Sequence, residues 1–60
     1  MNNATVEHLR DLAQRCAARS ENYAGTENWR QREAWYDARV QLRAAALALD
    51  LAISSERLED

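Results

Sequence analysis

Apolar residues recur at helical spacing in two stretches of the chain, with one short break between them. In the first stretch the intervals alternate between three and four, the pattern of an amphipathic helix. These positions are Val6, Leu9, Ala13, Cys16, Ser20 and Tyr23, and Leu12 and Ala17 widen the row. The pattern predicts a first helix from about residue 5 to about residue 24.

Gly25 marks the break, since it is the only glycine in the chain. Glycine enters the left-handed conformation that often ends a helix, and Thr26 can cap the helix that follows. We therefore predict a turn at about residues 25–26 and a second helix over about 27–58. A connection this short folds two amphipathic helices back on each other, so residues 1–60 are predicted to form a single helical-hairpin domain.

The second helix carries apolar residues on two opposite sides. At about 100° per residue, one set lies within about 40° of Val40. It is predicted to face the core, and we name it the Val40 stripe: Trp29, Tyr36, Val40, Ala44, Leu47, Leu51, Ser54 and Leu58. A second set, the Leu42 stripe, lies opposite: Trp35, Ala38, Leu42, Ala45, Ala46, Leu49 and Ile53. One first helix cannot cover both stripes.

The two stripes indicate that another chain completes the core. A 60-residue domain is marginally stable alone, and a lone Cys16 and a lone His8 supply neither a disulfide nor a metal site. The predicted fold is all-α, an antiparallel helical hairpin that dimerises into a four-helix bundle. The sequence leaves open which stripe faces the protomer's core and which faces the dimer partner. The predicted core and dimer residues therefore come from both stripes: Val40, Leu42, Leu47, Leu49, Leu51 and Ile53.

Aromatic and arginine residues at the start of the second helix are the candidate partner-binding site. Aromatic side chains and arginine are enriched among the residues that dominate binding energies. The candidates are Trp29, Arg32, Trp35, Tyr36 and Arg39. A polar strip in the same helix contains Arg32, Arg39, Arg43 and Arg57, interrupted by Asp50. This strip is either a solvated face or a ridge that binds acidic groups or phosphates.

No arrangement for catalysis, cofactor binding or metal binding is recognisable in the sequence. Cys16 and His8 are too far apart to activate each other on one helix, and there is no glycine-rich phosphate loop. The net charge of −2 gives no general attraction to nucleic acid or anionic membranes. Without a membrane-spanning run or a signal-peptide pattern, we expect a cytoplasmic, non-enzymatic protein.

Residues 29–36 (WRQREAWY) and 44–49 (AAALAL) resemble the second helix of small helical-hairpin proteins from bacteriophages of Pseudomonas. These include anti-quorum-sensing proteins, which dimerise and inhibit a host transcriptional activator. The resemblance implies a phage-encoded adaptor or inhibitor that binds a bacterial protein in the host cytoplasm. In shape alone the chain is also similar to the ROP-like plasmid copy-number regulator, a hairpin dimer that binds paired RNA loops. A nucleic-acid-binding regulator is therefore the alternative.

Overall fold

The structure, a computed structural model, is an all-helical hairpin. It describes residues 3–59, with side chains described as far as residue 57. Helix α1 spans Asn3–Glu21 and helix α2 spans Trp29–Glu59, and the two pack against each other. Arg10 lies beside Asp50, and Arg19 lies beside Trp35, so the helices run antiparallel. The all-α class and the hairpin are thereby confirmed.

The first helix ends at Glu21, earlier than the predicted end near residue 24. Beyond Glu21 the backbone hydrogen bonds join residues three positions apart instead of four, as in a 3₁₀ turn. The Tyr23 N–H donates to the Ser20 carbonyl at 3.1 Å, and the Ala24 N–H donates to the Glu21 carbonyl at 3.0 Å. Such tightening is common where a helix terminates, and it uses carbonyls that the helix itself leaves without partners.

The second helix begins at Trp29, later than the predicted start near residue 27. The Thr26 hydroxyl donates to the Tyr23 carbonyl at 2.7 Å and accepts from the Asn28 N–H at 3.1 Å. These bonds hold Thr26 in the turn. The Asn28 carbonyl accepts the first helical bond, from the Arg32 N–H at 3.1 Å, so Asn28 occupies the N-cap position that Thr26 was predicted to fill.

Gly25 has a φ of 74°, which confirms the left-handed conformation predicted for the turn. A Cβ atom added at Gly25 would meet nothing within 4 Å. Space is therefore not what favours glycine here. The backbone conformation itself would strain any residue with a branched side chain.

The core between the helices is small. Val6, Ala13, Ala46 and Ile53 are its buried hydrophobic residues, and no large side chain among the described residues is completely buried. Alanine at positions 13 and 46 lets the two backbones approach closely. Buried Ser20 donates its hydroxyl to the Arg32 carbonyl at 2.9 Å, which joins the end of α1 to the start of α2.

Helix α1 covers the Leu42 stripe of α2. Ile53 and Ala46 are buried there, and Leu42 and Leu49 are half-buried. The prediction that the Val40 stripe faces the protomer's core is wrong, since its large side chains are exposed. Both stripes are apolar, so periodicity alone could not show which of them α1 covers. The small residues of the Leu42 stripe permit the closer approach of the two helices. The Leu58 side chain of the Val40 stripe lies outside the described part of the chain.

The hairpin is a thin rod that exposes more surface than a compact protein of its mass. Its Cα atoms extend over 53 × 14 × 11 Å, with a radius of gyration of 14.6 Å. A compact 60-residue domain would have a radius of gyration of about 10 Å. The exposed surface is 4903 Å², whereas a compact monomer of this mass exposes about 4,000 Å². One hairpin therefore leaves about 900 Å² more surface in water than a finished globular domain would.

Candidate protein-binding surface

The Val40 stripe is an exposed apolar row on α2, interrupted by Glu33 between Trp29 and Tyr36. The exposed fractions are 57% for Trp29, 55% for Tyr36, 41% for Val40, 59% for Leu47 and 62% for Leu51. From the first to the last of these residues the row is about 33 Å long. Single exposed apolar residues are ordinary, but a row of several large ones is typical of a surface that binds another molecule.

The two flanks of the Val40 stripe differ in character. On one side, at about 60–100° from Val40, lies the polar strip, which we name the arginine flank: Arg32, Arg39, Arg43, Asp50 and Arg57. On the other side, at about 60–120° from Val40, exposed alanines alternate with polar residues: Arg30, Ala34, Asp37, Gln41, Ala48, Ala52 and Ser55. A molecule that docks on the stripe meets mainly arginines on one flank and a mixture of small and polar side chains on the other.

Next to the arginine flank, an open groove of about 910 Å³ lies between α1 and α2. Its polar lining mixes both signs of charge: Glu7, Arg10, Asp11, Gln14, Arg39 and Arg43. The Arg10 Nη2 atom is 3.8 Å from Asp50 Oδ2, and the Arg15 Nε atom is 3.1 Å from Asp11 Oδ2. Because these pairs are exposed, each contributes little to stability. The mixed charges favour a solvated face over a phosphate-binding ridge.

Three of the five candidate partner-binding residues lie together on the exposed side of α2. Trp29 and Tyr36 stand on the Val40 stripe, and the Arg39 guanidinium lies over the Tyr36 ring at 5.5 Å from its centroid. The Arg30 guanidinium lies over the Trp29 ring at 5.4 Å. Cation–π contacts of this kind hold rings in fixed orientations without covering both faces. The start of α2 therefore presents two aromatic rings beside charges of both signs, because Glu33 and Asp37 line the same surface.

The other two candidates are placed differently. Trp35 lies toward α1, where the Arg19 guanidinium stands 5.4 Å from its ring centroid. Arg32 has an exposed side chain, but its carbonyl accepts the hydrogen bond from Ser20. Sequence reasoning missed the roles of Arg19 and Ser20, because both depend on which residues of α2 the end of α1 meets. The contact between Arg39 and Tyr36, in contrast, could have been predicted from the sequence, because the two residues are three positions apart in one helix.

Part of the predicted core set also belongs to the exposed surface. Leu42, Leu49 and Ile53 pack toward α1, whereas Val40, Leu47 and Leu51 do not. Cys16 is half-buried and His8 is exposed.

Within residues 3–59, no cluster of three or more His, Cys, Asp or Glu residues could hold a metal ion. Over the same range, neither helix is long and apolar enough to cross a membrane. No family model, curated protein or solved structure matches this chain in sequence or fold comparisons. The surface of α2 is therefore the basis for a functional proposal.

Proposed function

We propose that this chain is a small non-catalytic protein-binding adaptor or inhibitor that acts as a homodimer. Two hairpins pair through their Val40 stripes and form a four-helix bundle. The observation that carries the proposal is the exposed apolar row of α2, in which Leu47 and Leu51 are each more than half exposed. In a lone hairpin this row would stay in water, at a cost of about 25 cal/mol for each Å² of apolar surface.

The area of exposed surface supports a protein partner of ordinary size. A stable protein–protein interface buries about 800 Å² on each partner. The surplus of about 900 Å² over a compact monomer is of that size. The small core points the same way, because a domain with so few buried side chains gains much of its stability from a second chain.

A heterologous partner is proposed to bind at the start of α2, around Trp29, Tyr36 and Arg39. These residues combine large apolar rings with a guanidinium that can donate several hydrogen bonds, a combination common at binding hot spots. The resemblance to phage hairpin inhibitors suggests the class of partner, a bacterial protein such as a transcriptional regulator in the host cytoplasm.

Replacement of Trp29 by alanine is expected to abolish partner binding and leave the helices intact. A tagged chain would be used to capture proteins from a bacterial lysate, with mass spectrometry as the readout. Loss of an interface tryptophan commonly costs 2 kcal/mol or more, which is roughly a thirtyfold loss of affinity. Gln31→Ala is the matched control, because Gln31 is exposed on the opposite side of α2. A partner retained equally by both variants would place recognition elsewhere.

The salt dependence of binding separates this proposal from the ROP-like alternative. Contacts to phosphates weaken steeply as salt rises, whereas an aromatic and aliphatic interface responds weakly. Binding that changes little with salt supports a protein partner. Capture of nucleic acid that is lost at raised salt would favour the alternative.

A further inference from the structure

The symmetry of a homodimer restricts which side chains can meet across it. When a helix packs antiparallel on its own copy about a two-fold axis, each flank faces the same flank of the copy. In a parallel pair each flank faces the opposite one. In an antiparallel dimer the arginine flank of one copy therefore faces the arginine flank of the other. The arrangement is favourable only where opposite charges of the two flanks meet.

One antiparallel register fits the Val40 stripe. When Val40 lies opposite Leu51 of the second copy, Ala44 lies opposite Leu47 of that copy, and both pairs occur twice by symmetry. A large side chain then meets a small one at the centre of the interface, and this alternation fills space without overpacking. In parallel packing, Leu47 would instead meet Leu47 and Ala44 would meet Ala44, which crowds one layer and empties the other.

The same register brings opposite charges of the arginine flank together near the centre of the interface, and it places Arg57 beside Arg32 of the other copy toward each end. Asp50 of one copy then lies between Arg39 and Arg43 of the other, about 3 Å from each along the helix axis. The Asp50 side chain is 43% exposed, and its contact with Arg10 is a loose one at 3.8 Å. Its carboxylate is therefore accessible to cations from a second chain. The apolar match and the charge match are separate features that select one register.

We infer that the second copy docks α2 antiparallel on α2, with Val40 opposite Leu51 and with Asp50 held between Arg39 and Arg43 of the other copy. This inference rests on the proposed homodimer and adds its orientation and register. Tyr36 then lies near the small side chain of Ser54 of the other copy, so the aromatic start of α2 stays accessible to a further partner.

Cysteine cross-linking tests the register. In a Cys16→Ala background, Val40→Cys and Leu51→Cys proteins with tags of different mass would be oxidised separately and as a mixture. The mixture should give a disulfide between the two different chains several-fold more efficiently than either protein cross-links to itself. Self-cross-linking by each protein alone would indicate parallel packing and overturn the inference. If the unmodified chain sediments as a dimer but the two cysteine variants fail to form the mixed disulfide, the register alone is overturned. If the unmodified chain sediments as a monomer, the proposed dimer is overturned as well.

Charge reversal tests the contact around Asp50. Asp50→Arg brings three cations together at each end of the interface and should raise the dimer dissociation constant roughly tenfold. Adding Arg39→Asp and Arg43→Asp to that variant reverses every charge and should restore the original affinity. Arg10→Gln, which removes only the contact of Asp50 within its own hairpin, should leave the dissociation constant unchanged. Unchanged affinity in Asp50→Arg, or no recovery in the triple variant, would overturn the contact.

Discussion

Leu47→Asp is expected to separate the proposed dimer into single hairpins, with the dissociation constant raised at least about a hundredfold. Leu47 lies near the centre of the Val40 stripe and is 59% exposed in the lone hairpin. Within the protomer the substitution therefore disturbs little packing. In the dimer it removes a large apolar side chain from the centre of the interface and takes a carboxylate out of water there, which costs several kcal/mol. Sedimentation equilibrium measures the dissociation constant directly.

Gln41→Asp is the matched control for that experiment. It places the same side chain on α2, at an exposed position about 100° from the centre of the Val40 stripe. The control should remain a dimer, and Leu47→Asp should have the helix content of the unmodified chain diluted to monomer. If Leu47→Asp assembles as tightly as Gln41→Asp, the Val40 stripe is not the dimer interface.

Ile53→Ala is expected to destabilise the hairpin itself by about 2–5 kcal/mol. Ile53 is only 6% exposed and belongs to the same buried cluster as Val6 and Ala46. A domain of this size has a total stability of about 3–9 kcal/mol. The substitution should therefore remove much of the helical signal in circular dichroism at room temperature, even at high protein concentration.

Leu51→Ala provides the comparison, because it deletes a similar side chain two residues away that is 62% exposed in the hairpin. Its effect should depend on concentration: small where the chain is monomeric, and larger where the dimer forms. Equal losses from Leu51→Ala and Ile53→Ala at every concentration would contradict the assignment of the two stripes. Thermal unfolding across a dilution series separates these outcomes.

The sequence was sufficient to predict the two helices and the turn. Their apolar periods are long and regular, and Gly25 is the only residue that reaches a φ of 74° without strain. The ends of the helices were less predictable. They depend on the hydroxyl of Thr26 and on the tightened bonds of Tyr23 and Ala24, which compete with regular helical bonds. Composition does not show which of these bonds forms.

Sequence periodicity could not show which of the two stripes α1 covers. Ala46 lies on the side that α1 covers and Leu47 on the side that it does not, although the two residues are adjacent and both apolar. The outcome depends on how closely the backbones approach and on where the Ser20 hydroxyl meets the Arg32 carbonyl. These are contacts between distant parts of the chain, and a one-dimensional pattern does not encode their geometry.

The sequence identified the aromatic residues at the start of α2 as a group. It did not show which of them lie toward α1 and which are exposed. Trp29 and Trp35 are both apolar rings near the start of α2, and only their angular positions distinguish them. The structure places Trp35 beside Arg19 and leaves Trp29 more exposed, at 57%. Trp29 is therefore the better anchor for an outside partner.

Sedimentation equilibrium of the unmodified chain, run from micromolar concentrations downward with helix content followed by circular dichroism, tests the central proposal most directly. The account predicts a mass of twice the 6.9 kDa of one chain at the higher concentrations. On dilution, helix content should fall together with the dimer, because the hairpin core is small. A stable, fully helical monomer at every concentration would contradict the proposal that a second copy covers the Val40 stripe.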